Sequence, residues 1–466
     1  MRPVRVAVWT LGCKVNQYDS ESIAQLFRRH GFSVVGFEEE ADLYVINTCA
    51  VTATGEHKSR QLIRRAARRA RGKGAVMVTG CLAQLQPGLV GSMDGVVAVV
   101  GTDRRGRLVQ LAAEWAKGAT LPSAARSDVA GALRDARPAY EELPVACFPD
   151  RARAVVKIQD GCDEMCTFCI VPYSRGRARS REAGAVLDEV RRLVDANFHE
   201  IVLSGVNVAA YGRDLGQRDG LLRLLERIEA LPGSFRIRLG SVLPSALTCE
   251  LLAWWGGSQR LCPHIHLSLQ SGDDGVLRRM GRRYRADDVR MAVGRLRGMR
   301  PDLAVTADVI VGFPGETEEA FGRTVGLVEE LGMMRLHLFP FSPRPGTPAA
   351  HLSGRVDGEA AARRMRQLSA TGERAGAAYL ERLCGREVDV LVERPAPGSA
   401  RSQGVDEHYA RVELEGAAAG SLEAGRVVRA RVVGTGPRGL RAVVADAGGE
   451  GRSGVAGTAP SAWNLP

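Results

Sequence analysis

The chain has 466 residues, of which 45% are hydrophobic and 25% charged, and its formal net charge is +11. This composition indicates a globular protein with two to four domains and excludes an extended low-complexity chain. The opening MRPVRVAVWT lacks the apolar stretch of a secretion signal, and no apolar run approaches the roughly eighteen residues that cross a bilayer. We therefore expect a cytoplasmic protein with no membrane partner, whose positive charge suits an anionic partner.

Residues 1–117 alternate between strand-like and helix-like segments. The apolar runs are VRVAVWT, DLYVINT, AVMVTG and VVAVVG, and helical stretches such as YDSESIAQLFRRHG separate them. This alternation predicts an N-terminal α/β domain with a parallel sheet covered by helices. The pattern is lost over residues 118–147, which we interpret as a linker on the surface.

Residues 148–376 contain a second and longer series of such units. Six apolar runs alternate with helical stretches, and they predict a partial parallel barrel of the (βα)6 type: AVVKI, EIVLSG, RIRLG, HIHLSLQ, AVTADVIVG and RLHLFPF. Residues 380–445 instead contain short strands broken by Gly and Pro, which predict a small antiparallel β-barrel. Residues 446–466 are rich in Gly, Ser and Ala, and we expect a disordered tail.

Three cysteines lie close together just after the first strand of the second series, namely Cys162, Cys166 and Cys169 in GCDEMCTFC. Three thiolates on one loop can hold three corners of a cubane iron–sulfur cluster and leave one iron open to a small molecule. Tetrahedral zinc would need a fourth ligand, and neither His nor Cys follows within several residues. Disulfides do not suit a chain without a secretion signal, and structural cysteines rarely cluster this densely. The spacing therefore favours an iron–sulfur cluster.

A second set of three cysteines follows strands of the first domain. Cys13, Cys49 and Cys81 each lie just past the end of an apolar run. The ends of parallel strands meet at one edge of a sheet, so these thiols are expected to converge. Three thiolates with no histidine nearby favour a second cluster, although three ordinary buried cysteines are the alternative. We interpret the other four cysteines as structural: Cys147, Cys249, Cys262 and Cys384.

Several strings resemble one family over nearly the whole chain, the radical S-adenosylmethionine methylthiotransferases. They are LGCKVNQYDSE at 11–21, NTCAVT at 47–52, TGC at 79–81, GCDEMCTFCIVPYSRGRARSR at 161–181, HLSLQSGDDGVLRRMGRRY at 266–284, DVIVGFPGETEE at 308–319 and FSPRPGTPAA at 341–350. The resemblance implies an N-terminal cluster domain, a radical S-adenosylmethionine barrel and a C-terminal TRAM barrel. The strings are most similar to the branch that acts on N6-threonylcarbamoyladenosine just 3′ of the anticodon (tRNA position 37). Sister branches act on isopentenyladenosine in tRNA or on an aspartate of a ribosomal protein.

The resemblance also implies the chemistry. An aromatic ring carbon has no acidic proton and no leaving group, so the replacement of its hydrogen by sulfur requires a radical. The 4Fe-4S cluster at the second cysteine set would cleave S-adenosylmethionine to form that radical. The 4Fe-4S cluster at the first set would deliver sulfur, and a second S-adenosylmethionine would methylate it. The implied partners are threonylcarbamoylated ANN-decoding tRNAs and an electron donor such as flavodoxin or ferredoxin. A non-enzymatic iron–sulfur protein that binds RNA is the alternative from another class.

Four residues at strand ends of the core are candidates for contact with S-adenosylmethionine. Gly205 and Asn207 follow the second strand, where a glycine permits close backbone approach and the amide could meet the methionine end of the cofactor. Gln270 and Asp308 are candidates for its ribose or adenine region. The alternative for each is an ordinary turn residue.

RNA contact is predicted from three basic runs. Arg175, Arg177, Arg179 and Arg181 alternate just past the cysteine loop, so an extended chain would direct them to one side of the site. A helical stretch at 58–73 contains basic residues and no acid. The third run comprises Arg278, Arg279, Arg282, Arg283 and Arg285. Solvated surface charge is the alternative for each run, but together they favour a nucleic acid.

Overall fold

The computed structural model describes residues 2–70, 72, 74–129, 131, 133, 138–148, 151–393, 402–416 and 422–444. These residues form an N-terminal parallel α/β unit, a partial parallel barrel and a closed C-terminal barrel, as the sequence predicts. The predicted tail at 446–466 and part of the linker at 118–147 lie outside the described residues. Among the helices of the described ranges, none is both long and apolar enough to span a membrane.

The N-terminal unit is a five-stranded parallel sheet in the order β2-β1-β3-β4-β5. The central strands β3 and β4 are buried along their whole length because helices cover both faces of the sheet. Its elements are β1 (Arg5–Thr10), α1 (Lys14–Arg29), β2 (Ser33–Val35), β3 (Leu43–Thr48), α2 (Ala53–Ala70), β4 (Ala75–Gly80), α3 (Cys81–Leu85), α4 (Pro87–Gly91), β5 (Val96–Val99) and α5 (Arg107–Ala116).

The core unit places six parallel strands in the order β6-β9-β10-β11-β12-β13. Its elements are β6 (Ala154–Lys157), β7 (Gln159–Asp160), α6 (Val171–Arg175), β8 (Arg179–Ser180), α7 (Ala183–Asp195), β9 (Glu200–Ser204), α8 (Gly220–Glu229), β10 (Arg236–Leu239), α9 (Cys249–Gly257), β11 (His264–Gln270), α10 (Asp274–Arg279), α11 (Ala286–Met299), β12 (Ala304–Val311), α12 (Glu318–Glu330), β13 (Arg335–Pro340) and α13 (Gly358–Glu381). In the described part of the chain, β6 and β13 do not pair, so the barrel is open between them. The antiparallel pair β7–β8 was not predicted.

The C-terminal unit is a closed barrel in the order β14-β15-β16-β18-β17. Its strands are β14 (Glu387–Glu393), β15 (Gln403–Val405), β16 (Arg411–Glu415), β17 (Val427–Gly436) and β18 (Gly439–Val444). Four neighbouring pairs are antiparallel, but β16 and β18 pair in parallel. The predicted barrel is therefore confirmed, and one of its pairings departs from the expected antiparallel arrangement.

The C-terminal barrel docks on the amino-terminal edge of the core strands. Arg238 donates to the backbone carbonyls of Asp406 and Glu407, both at 3.1 Å, and Arg236 donates to the carbonyl of Asp389 at 2.7 Å. Buried Glu200 accepts from both arginines. Since Arg236 begins β10, the barrel closes the end of the core opposite to the cysteine loop.

A buried histidine strengthens this docking. The two ring nitrogens of His408 lie 3.0 Å from an Asp302 oxygen and 3.3 Å from an Asp406 oxygen. Burial alone would lower the pKa of His408, but the hydrogen bonds with Asp302 and Asp406 outweigh it and raise the pKa to about 10. Stabilisation by the protonated ring is therefore complete below the unfolded-state pKa of about 6.5 and is lost as the pH rises toward 10.

The substitution His408→Gln is expected to lower the free energy of unfolding by roughly 3 kcal/mol at pH 6, because it leaves buried Asp406 and half-buried Asp302 without their cation. The deficit should shrink as the pH approaches 10, where the native ring loses its proton. Denaturant unfolding at both pH values measures this, with exposed His351→Gln as the matched control. A deficit that stays the same at both pH values would contradict the assigned protonation.

Candidate active site

The first cysteine set converges at the carboxyl edge of the N-terminal sheet, as predicted. Cys13 caps α1 after β1, Cys49 follows β3 and Cys81 begins α3 directly after β4. These three strands are neighbours in the parallel sheet. Burial raises the pKa of Cys49 to about 12, and the nearby thiols of Cys81 and Cys13 add to the effect. The three sulfur atoms are thus close enough for their charges to interact.

Two glycines allow this convergence. Gly12 has a φ of +105°, and a Cβ there would lie 3.0 Å from the Cys49 sulfur. Gly80 has a φ of +95°, and a Cβ there would lie 2.4 Å from the carbonyl oxygen of Thr48. Only glycine combines this backbone conformation with such close approach. The turns that carry Cys13 and Cys81 therefore pack directly against the end of β3.

The second cysteine set lies on the loop between β7 and α6. The Cys162 amide donates to the Gly176 carbonyl, and the Cys169 amide donates to the Cys166 carbonyl, both at 3.0 Å. Burial raises the pKa of Cys162 to about 11 and that of Cys169 to about 12, with a further contribution from Cys166 to the latter. Since iron binds thiolates, cluster assembly at either set must release protons.

Arg282 is a cation that lies beside the second cysteine set. Its guanidinium lies within electrostatic range of all three thiols and 5.5 Å from the Phe168 ring centroid. The buried Arg282 Nε has no hydrogen-bond partner among the described residues. A buried donor without an acceptor fits an anionic group held by the three cysteines. The sequence placed Arg282 in a run for RNA contact, whereas its side chain faces the cysteine loop.

We expect Arg282→Met to make a cluster at the second set harder to reduce. Loss of one nearby buried cation should shift the reduction potential by on the order of 50–100 mV to more negative values, at an effective dielectric constant near 20. Potentiometric titration followed by electron paramagnetic resonance measures the shift. Arg278→Met, at an exposed position of the same basic run, is the matched control. Equal potentials in both variants would contradict the role given to Arg282.

Arg175 lies inside the protein, and the RNA contact predicted for it is wrong. It is 1% exposed and donates to Asp160 at 2.9 Å and to Asp19 at 2.9 Å. These residues belong to a cluster that joins the N-terminal unit to the core, which we call the interdomain ion cluster. Its members are Asp19, Arg105, Lys157, Asp160, Arg175 and Arg179.

The rest of the predicted run is also largely buried. Arg179 donates to the Arg175 carbonyl, and Arg181 pairs with buried Glu189 at 2.8 Å and with Glu142. The predicted RNA contacts of Arg179 and Arg181 are therefore wrong as well. The segment is not one extended chain, because α6 ends at Arg175 and β8 spans two residues. Arg177 is the most exposed of the four and pairs with Asp163 at 2.6 Å, so its RNA contact stays a prediction.

The interdomain ion cluster also connects the two cysteine sets. Arg175 lies within electrostatic range of the Cys13 and Cys81 thiols. The next residue, Gly176, accepts the hydrogen bond from the Cys162 amide. The cluster contains four cations and two carboxylates, and Glu141 adds a third through Arg105. This excess of positive charge fits anionic groups held by the neighbouring thiolates.

Two of the candidate cofactor residues lie together at the carboxyl edge of the core. Gly205 packs so closely on Gln159 that a Cβ would lie 3.0 Å from the Gln159 Cβ. The backbone N–H of Asn207 donates to Gln159 Oε1 at 2.9 Å. The buried Asn207 Oδ1 has no hydrogen-bond partner in the described ranges. An unpaired acceptor at this edge fits a donor such as an ammonium group, and the contact with S-adenosylmethionine stays a prediction.

The other two candidates differ in position. Gln270 ends β11 at a bulge with a φ of +66°, a strained conformation that is often found at functional sites. Asp308 lies within β12, and its Oδ1 is 3.2 Å from both His266 Nε2 and His337 Nδ1. Burial would raise the pKa of Asp308, but the two histidines hold it well below its usual range. No pattern in the sequence indicated these histidines, which come together only in the barrel.

Residues 58–70 of the first basic stretch form part of α2, and they differ from the buried run. Lys58, Arg64 and Arg68 are exposed and form no ion pair within the described part of the chain. Arg65 and Arg69 both pair with Glu38. Arg71 and Lys73 lie outside the described residues. The exposed face of α2 therefore offers cations to an external partner.

Comparisons with known proteins match this organisation. The Radical SAM superfamily profile matches residues 156–328, and the profile described as uncharacterized protein family UPF0004 matches residues 5–101. Among solved structures, the radical S-adenosylmethionine methyltransferase TsrM from Kitasatospora setae, with cobalamin and a [4Fe-4S] cluster bound, has a TM-score of 0.55 at 16% identity. The alignment covers 75% of this chain and 77% of the TsrM chain. The profile match identifies the core as a radical S-adenosylmethionine domain.

Curated relatives show to which family of radical S-adenosylmethionine proteins the chain belongs. A threonylcarbamoyladenosine tRNA methylthiotransferase of Bacillus subtilis is 39% identical, and the alignment covers 88% of this chain and 90% of the relative. A tRNA-2-methylthio-N(6)-dimethylallyladenosine synthase of Oleidesulfovibrio alaskensis is 37% identical and covers 87% of each. A ribosomal protein uS12 methylthiotransferase of Desulforudis audaxviator is 35% identical and covers 94% and 97%. The chain belongs to the radical S-adenosylmethionine methylthiotransferase family.

Proposed function

We propose that this enzyme methylthiolates C2 of N6-threonylcarbamoyladenosine next to the anticodon of tRNA, with two 4Fe-4S clusters and two S-adenosylmethionine molecules per product. The observation that carries the proposal is the presence of two separate sets of three cysteines on either side of the interdomain ion cluster. Each set has three thiols and leaves a fourth iron position of a cubane open. One open iron suits S-adenosylmethionine, and the other suits the sulfur.

The two clusters would supply different chemistry. Cys162, Cys166 and Cys169 would hold a cluster that provides the electron for cleavage of S-adenosylmethionine, and Cys13, Cys49 and Cys81 would hold one that provides the sulfur. Arg282 and Arg175 place positive charge beside the two thiol sets. Burial of Cys49, Cys81 and Cys166 would help to keep water from reactive species, which is a principal task of the protein in radical chemistry.

The choice of substrate rests on the relatives and on the charge of the surface. Relatives named for threonylcarbamoyladenosine include the Bacillus subtilis protein, but relatives named for both sister substrates are nearly as similar. The unpaired cations on α2 support contact with the tRNA backbone. Exposed Arg278, Arg283 and Arg285 likewise support contact with the tRNA backbone. An electron donor such as flavodoxin or ferredoxin would reduce the cluster at the second cysteine set.

An in vitro assay tests the proposal. Anaerobically reconstituted protein is given dithionite and S-adenosylmethionine together with one of three substrates: an anticodon stem-loop with threonylcarbamoyladenosine, the same stem-loop with isopentenyladenosine, or the uS12 protein. Mass spectrometry should detect a methylthio product with the first substrate. A product with only one of the other substrates would assign the enzyme to that sister branch. No product from protein with intact clusters would refute the proposed activity.

A further inference from the structure

The space enclosed by the inward faces of the six core strands, here called the core interior, has a cationic wall at β13. Leu336 and Leu338 on this strand pack outward against the hydrophobic core. Arg335 and His337 therefore lie on the opposite, inward face. In the parallel register Arg335 is beside Thr306, and His337 is beside Asp308.

The acid beside this wall contacts two histidines. Asp308 Oδ1 lies 3.2 Å from a nitrogen of His266 and 3.2 Å from a nitrogen of His337. The other nitrogen of His266 is 2.8 Å from the Thr306 hydroxyl, which fixes the ring. Asp308 is thus enclosed by two histidines, and it forms no ion pair with Arg335.

The floor of the core interior is the ring of Tyr409, which the C-terminal barrel presents at a φ of +70°. Three cations surround this ring, with Arg238 at 4.6 Å and Arg153 and Lys14 at 5.5 Å from its centroid. Arg238 and Arg153 both pair with Glu200. Lys14 has no carboxylate within ion-pair distance among the described residues.

The side chain of Arg335 also forms neither an ion pair nor a hydrogen bond with any described residue. It is half-buried, and burial together with the nearby Arg411 lowers its pKa. The carboxylate of Asp406 lies in electrostatic range, but it accepts from the Ala410 amide and from His408. A half-buried guanidinium without an acceptor favours an anionic ligand, because burial of an unpaired charge is unfavourable.

The position of this site separates its ligand from the amino acid end of S-adenosylmethionine. Arg335 is the first residue of β13, at the edge opposite to the loop of Cys162, Cys166 and Cys169. Lys14 directly follows Cys13, a residue of the sulfur-supplying set. Lys14 and Arg335 both lie within electrostatic range of Tyr409, so one anion above this ring can contact both cations.

We propose that Lys14 and Arg335, assisted by His337, bind the carboxylate of the threonylcarbamoyl substituent and so select this base over isopentenyladenosine. The inference rests on the proposed function and extends it to substrate choice. Threonylcarbamoyl carries a carboxylate, whereas isopentenyl is an uncharged hydrocarbon. The cationic wall can therefore stabilise the threonylcarbamoyl group. The isopentenyl group would displace water from the same cations without offering them a negative charge.

Equilibrium binding of the full-length protein to three anticodon stem-loops tests this site. The stem-loops differ only in the base next to the anticodon, which is threonylcarbamoyladenosine, isopentenyladenosine or adenosine. Arg335→Gln and Lys14→Gln should each weaken binding of the first roughly 10- to 100-fold, the value of a hydrogen bond to a charged group. Binding of the other two should not change. Arg366→Gln, at an exposed position on α13, is the control.

The results distinguish the carboxylate of the substrate from a backbone phosphate as the anion that Arg335 binds. An equal loss for all three stem-loops would assign Arg335 to a backbone phosphate and overturn the proposal, as would no loss for any of them. Arg335→Lys keeps the charge and should retain most of the preference, which guards against a folding defect in Arg335→Gln. A wild-type enzyme that methylthiolates another substrate instead would refute the proposed function itself, independently of the variants.

Discussion

Replacement of Cys166 by alanine is expected to abolish the reductive cleavage of S-adenosylmethionine. Two thiolates at Cys162 and Cys169 cannot hold a cubane with one open iron, so no group remains that can deliver the electron. The measurement is formation of 5′-deoxyadenosine by the anaerobic protein with dithionite. Cys384→Ala, at an exposed cysteine outside both sets, should cleave the cofactor at the wild-type rate.

A variant in the other set separates the two roles. Cys49→Ala should still cleave S-adenosylmethionine but should yield no methylthio product, because it lacks a ligand of the sulfur-supplying set. If Cys166→Ala continues to produce 5′-deoxyadenosine, the radical is not formed at the second cysteine set. If Cys49→Ala still forms the full product, the first set does not supply sulfur.

The second large effect is expected for Asp160→Asn, which should lower the free energy of unfolding by roughly 3–5 kcal/mol. Asp160 is 1% exposed and lies 2.9 Å from Arg175 and 2.6 Å from Lys157. The substitution removes the charge of one of the two carboxylates in the interdomain ion cluster. The four cations of the cluster therefore lose half of the negative charge that opposes them. Urea unfolding measures the change. Asp188→Asn removes the exposed pair with Arg191 and should change the free energy by less than about 1 kcal/mol.

The pH dependence of this effect has a definite sign. Burial would raise the pKa of Asp160, but Arg175, Lys157 and their neighbours hold it well below its usual range. The stabilisation is therefore complete above the ordinary Asp pKa of about 3.9 and is lost only as the pH falls toward the depressed native value. The difference between wild type and Asp160→Asn should stay constant from pH 5 to 8. A difference that grows or vanishes in that window would contradict the assigned ion cluster.

The sequence predicted the features that depend on local pattern. Alternation of apolar runs with helical stretches identified the parallel sheet and the six core strands. The position of Cys13, Cys49 and Cys81 just past three strands then sufficed to predict their convergence, because parallel strands end at the same edge. Spacing alone placed the other three cysteines on one loop.

The arginines show what local pattern could not predict. Arg175 is buried because its acceptor Asp19 comes from α1, 156 residues away in the chain. No property of the segment at 175–181 shows that another domain supplies these carboxylates. The contact of Asp308 with His266 and His337 likewise depends on the register of three strands. Such pairs are set by tertiary structure and were missed for that reason.

The central claim is that two clusters act on one substrate, and iron and sulfide analysis of anaerobically reconstituted protein tests it most directly. Two cubanes predict about eight irons and eight sulfides per chain. The triple alanine variants of either cysteine set should each retain about four. A wild-type protein with only about four irons, unchanged by alanine at Cys13, Cys49 and Cys81, would contradict the account.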